Sequence, residues 1–136
     1  MGILKNIAFV FIGIILGMFV NMGLIYIGGY AIELPENFDP MNAINWELKY
    51  FIFPFLAHAI GTFSGALLVS KLSKNSSIVL PLIIGVYFLA GGIYMVTILP
   101  APYWFIILDL SCAYIPMAML AWRMSKKYLL ISFNFC

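Results

Sequence analysis

The chain has 136 residues, of which 65% are hydrophobic and only 9% charged, with a mean hydropathy of +1.09; soluble domains carry roughly 25% charged residues. A water-soluble domain of this size leaves too much surface exposed to hide so much apolar material, so the composition excludes a soluble fold and makes the bilayer the solvent. Seven Lys/Arg against five Asp/Glu give a net charge of +2, too sparse a basic surface for nucleic acid, which leaves the lipid bilayer, another membrane protein or a membrane-crossing solute as partners.

Between Lys5 and Glu33 runs a charge-free stretch, residues 6–32, which is long enough to cross a hydrocarbon core of about 30 Å at ~1.5 Å per residue. It exceeds the ~7–15-residue core of a secretory signal, and no A-x-A-like site follows, so it reads as a first transmembrane helix and not a cleaved leader. Loop 33–48 is acidic and turn-rich, with Pro35, Asn37, Asp39 and Pro40. It is expected to form a short ordered cap, with Trp46, Lys49 and Tyr50 as interfacial anchors.

Residues 50–70 form a second apolar run, broken only by His58, and residues 78–99 a third with no ionisable group except tyrosines. The cluster Pro100, Pro102, Tyr103 and Trp104 marks an interfacial turn feeding a fourth helix, 103–122, which is interrupted only by Asp109 and stopped by Arg123, Lys126 and Lys127. The tail 123–136 is apolar after its basic residues but too short to span, and is expected along the cytoplasmic interface or against a partner. Internal prolines predict kinks near Pro54 and Pro116, whereas Pro81 falls in a first turn and should be silent.

The whole therefore reads as one all-α membrane domain, a four-transmembrane-helix bundle. Lys5, Lys71, Lys74, Arg123, Lys126 and Lys127 fall on one side and only Lys49 on the other, which by the positive-inside rule puts both termini in the cytoplasm. Lipid provides no hydrophobic force between helices, so packing needs small residues. Gly13 and Gly17 on the first helix, Ala57, Gly61 and Gly65 on the second, and Gly85 and Gly92 on the third provide them at helical spacing.

Charges inside a bilayer are costly, at roughly 2.5–3.5 kcal/mol for Asp at a helix centre, which makes each one a site hypothesis. Counted from the loop-side ends of their helices, Asp109 lies about 9 Å deep, His58 about 12 Å and Asn21 roughly 12–14 Å. Three helices place a polar group in one slab, and Gly91 and Gly92 leave room at the same level. Asn21, His58 and Asp109 are therefore expected to form one hydrogen-bonded cluster, joined by Thr62 a turn below His58.

One histidine excludes a bis-histidine haem or a multi-His zinc or di-iron centre within one chain. Cys112 and Cys136 have no metal-type spacing, and the terminal NFC is not a prenylation box. No H-E-x-x-H or G-x-S-x-G motif occurs, and Ser111 points to a different helix face from Asp109. The expectation is no metal, no cofactor and no enzyme.

Two stretches, AHAIGTFSGAL (57–67) and LPAPYWFIILDLSCAYIPMAML (99–120), resemble a family of small, uncharacterised four-helix bacterial membrane proteins with the pattern PAP-x-WF-x3-DL-x2-AY-x-PMA. The resemblance covers the second and fourth helices, implies that His58 and Asp109 belong to the family pattern, and implies residence in a bacterial inner membrane. The first helix lacks the membrane glutamate of small multidrug transporters, and GTFSG lacks the accompanying residues of fluoride channels. The expected function is a non-catalytic accessory or assembly subunit that packs against a larger membrane complex. The alternative is a small homo-oligomeric transporter or channel with Asp109 and His58 at its site.

Overall fold

The computed structural model describes residues 2–73 and 77–133, with side chains described as far as Lys126. Lys74 and Cys136 lie outside the described residues. The described chain is all helix and loop, with no strand. Helix α1 spans Ile3–Ala31, α2 Ile52–Ser73, α3 Val79–Ile98, α4 Tyr103–Cys112 and α5 Ile115–Phe133, and two short 3-10 turns, Ala43–Asn45 and Leu48–Phe51, precede α2. Four segments are long and apolar enough to cross a membrane, the fourth being α4 and α5 in succession.

The fourth segment is not one helix. Pro116 has no N–H, and its ring collides with the carbonyl four residues back, so the helix breaks at Ala113–Tyr114 and restarts at Ile115. Pro54, by contrast, is the third residue of α2, where its missing N–H falls among donors that have no helical partner anyway. Helix α2 runs unbroken past it, and the change from the 3-10 turn Leu48–Phe51 to α-helix falls two residues earlier, at Ile52. Pro81 has the same place in α3 and is silent, as expected. The tail from Arg123 continues α5 as far as Phe133.

Helices α1 and α2 run antiparallel, as do α3 and α5, and the glycines set how closely they approach. A Cβ on Gly17 would lie 2.8 Å from the Gly61 carbonyl oxygen, and one on Gly65 would lie 2.5 Å from that of Gly13. Helices α1 and α2 therefore cross backbone on backbone, where the gain is dispersion over a long close contact. Gly85 admits Ala118 of α5 in the same way, its Cβ position lying 2.9 Å from the Ala118 Cβ. Ala66, Val69, Ile84, Ala118 and Ala121 form the core between α2, α3 and α5. Only glycines are fully buried on α1, at positions 13, 17 and 28; Val10 and Ile14 pack partly against the core, and many of its large side chains, such as Phe11, Phe19 and Tyr30, face outward, as in a helix bathed in apolar solvent.

This threading collects Lys5, Lys71, Arg123 and Lys126 at one end of the bundle and loop 33–48 at the other. The loop is an ordered cap. Ala43 N–H donates to the Pro100 carbonyl at 2.9 Å, which ties the cap to the α3–α4 turn. Trp46 Nε1 donates to the Asp39 carbonyl at 3.0 Å, and its ring packs on Phe38 and Phe51 with centroids 4.6 and 5.5 Å away. Trp46 thus belongs to the interior of the cap, while Tyr103, Trp104 and Arg123 are exposed. Lys49 pairs with Glu47 at 3.0 Å on the surface.

Candidate functional site

His58 stands two turns into α2 and Asp109 near the end of α4. The close packing of the helices brings His58 Nδ1 within 2.9 Å of both Asp109 carboxylate oxygens. The Asp109 residue keeps only 5% of its surface exposed, whereas a quarter of the His58 side chain is accessible. The pair expected from depth counting is therefore formed.

A third member comes from the break between α4 and α5. The Tyr114 hydroxyl donates to Asp109 Oδ2 at 2.9 Å, and its ring stacks on the His58 imidazole with centroids 5.7 Å apart. In an uninterrupted helix, residues five apart point about 140° away from each other, so Tyr114 could not reach back to Asp109. The break upstream of Pro116 supplies the missing rotation. Gly92 of α3 supplies the space, because a Cβ there would come within 2.6 Å of the Tyr114 hydroxyl oxygen. The room expected at Gly92 is filled by the phenol, and Gly91 faces outward.

The other two expected members stay out of the cluster. Asn21 packs its Cβ against Gly61, and among the described residues no hydrogen bond joins its amide to His58 or Asp109. Thr62 is fully buried, and its hydroxyl makes no hydrogen bond there. Reading the sequence by depth alone missed Tyr114. The available signal was the tyrosine two residues before Pro116, in a span with few other polar groups.

Above the triad, towards the cap, lies a cavity of about 370 Å³, within the size range of small-molecule sites. Its walls come from all four segments and the cap, among them Gly29, Met95, Phe105, Phe38 and Trp46, and His58 and Asp109 line its inner end. Of the two imidazole nitrogens, Nδ1 is held by the carboxylate; Nε2 makes no hydrogen bond among the described residues and is not fully buried, and His58 lines the cavity. Among the described residues, no three His, Cys, Asp or Glu side chains gather as a metal site would need. The arrangement can hold a polar group by hydrogen bonding and can exchange a proton with it.

Comparison of the chain with protein-family models, with characterised proteins and with solved structures finds no match.

Proposed function

We propose that the protein is a small membrane carrier that receives a lipid-soluble molecule in the cavity beneath the cap, its polar end at His58. The observation that supports this is the position of the buried ionisable pair: it closes the inner end of an otherwise apolar cavity, beside the break in the fourth span. Intramembrane charges are retained where they serve a pathway or a ligand, and irregular backbone at membrane depth is tolerated where protein or a cavity surrounds it. In this reading the basic end faces the cytoplasm of a bacterial inner membrane, and the cavity opens in the outer half of the bilayer. No catalytic step is required of it.

The accessory-subunit reading has less to stand on, since the faces of Gly13, Gly17, Gly61, Gly65, Gly85 and Gly92, through which it would dock, are filled by neighbouring helices of the same chain. The two readings separate in one preparation. The tagged protein is extracted in mild detergent, examined by native mass spectrometry, and its bound small molecules are recovered in organic solvent. The carrier reading expects a lipid-soluble compound near one per chain, lost in Gly29→Trp, which fills the cavity from a position where a Cβ meets nothing within 4 Å. Equal recovery from both proteins, or a stoichiometric larger protein partner with no bound compound, would count against it.

A further inference from the structure

The cavity wall allows the ligand's polar end to be specified, on the reading that the cavity is a ligand site. Three side chains in the wall carry hydrogen-bond donors: Trp46, Tyr50 and His58. Trp46 Nε1 already donates to the Asp39 carbonyl at 3.0 Å and the Tyr50 hydroxyl to the Glu33 carbonyl at 3.5 Å. The wall contains no Lys or Arg. His58 Nε2 is thus the one uncommitted side-chain donor, if it carries a hydrogen.

The hydrogen depends on the form of the pair. The His58–Asp109 pair has two net-neutral forms, imidazolium with carboxylate, or neutral imidazole with a carboxylic acid that donates to Nδ1. In both, Nε2 carries the hydrogen. Only the net-negative form, in which a neutral imidazole donates Nδ1–H to the carboxylate, leaves a bare lone pair at Nε2. A net charge costs desolvation among apolar walls, and both net-neutral forms place a hydrogen on Nε2. Asp109 offers a cationic head group little surface, since it is only 5% exposed and is already bonded to His58 and Tyr114 at 2.9 Å. A carboxylate or phosphate would require several donors or a cation, and the wall offers one.

We infer that the cavity selects a neutral, apolar molecule bearing a carbonyl oxygen, which accepts a hydrogen bond from His58 Nε2–H.

The only histidine in the chain makes the test direct. Protein labelled with 15N-histidine, in a Trp104→Phe, Trp122→Phe background, is titrated with 2-tridecanone, tridecane and dodecylamine. Nitrogen NMR reads Nε2, and Trp46 fluorescence reads cavity occupancy independently. The expected result is an Nε2 bearing its hydrogen, a saturable shift with the ketone, no shift with the alkane, and about tenfold tighter ketone binding, the size of one net hydrogen bond, which His58→Phe abolishes. An Nε2 without hydrogen, or dodecylamine binding better than the ketone, would overturn the inference. Occupancy by all three probes with no Nε2 response would overturn it while leaving the cavity as a ligand site. No fluorescence response to any probe would remove both.

Discussion

Tyr114 and His58 meet on the same carboxylate, the phenol through Oδ2 and the imidazole through both oxygens, each at 2.9 Å. The imidazole is therefore fixed twice, by the hydrogen bonds of Asp109 and by the face of the Tyr114 ring. Such double restraint holds the imidazole in one orientation at the cavity wall. Orientation of this kind is what distinguishes a binding group from a polar side chain that only tolerates its surroundings.

Removing one partner of the buried pair should be more damaging than removing both. His58→Leu leaves a carboxylate uncompensated and should destabilise the fold by about 3–5 kcal/mol, and Asp109→Leu in addition should recover much of that. Unfolding by denaturing detergent measures the cycle; a sum of independent effects would show that the two side chains are uncoupled.

Gly92→Ala should cost about 1–3 kcal/mol by overpacking, since the new methyl must displace the Tyr114 phenol. In a Tyr114→Ala background the same substitution should cost much less. Equal costs in the two backgrounds would mean that Gly92 is not there to seat the tyrosine.

Helix α1 carries its own control. Gly17→Leu should separate α1 from α2 and destabilise by several kcal/mol through lost close packing, because its Cβ position already lies 2.7 Å from the Phe88 ring and 2.8 Å from the Gly61 carbonyl. Gly23→Leu, where a Cβ meets nothing within 4 Å, should stay within about 0.5 kcal/mol of the parent. A comparable loss at both positions would argue against a backbone crossing at Gly17.

Orientation can be read by labelling single cysteines in a Cys112→Ala, Cys136→Ala background. A membrane-impermeant maleimide should reach Glu36→Cys in intact cells and Lys5→Cys only after permeabilisation. The reverse pattern would invert the topology that the basic residues predict.

Helix positions and the His58–Asp109 pair were legible in the sequence because both depend on simple counting. Apolar run length reports a span, and residues at equal depth on adjacent helices have few other partners. The glycine faces were legible for a similar reason, and each proved to meet a neighbour within the chain. Tyr114 was not legible, since its place depends on a break whose rotation helical periodicity cannot supply. Asn21 shows the reverse error. Equal depth put it in the right slab, but its helix crosses α2 at Gly61, and that contact uses the face it would have needed.

The break between α4 and α5 also divides the fourth span mechanically. Helix α4 is fastened to the cap, where Phe105 packs on Phe51 with centroids 4.5 Å apart, while α5 is keyed into α3 through Ala118 and Gly85. The Asp109–Tyr114 hydrogen bond spans the joint between these two halves. The carboxylate that binds His58 therefore also ties together the two halves of the fourth span, one held by the cap and the other by α3.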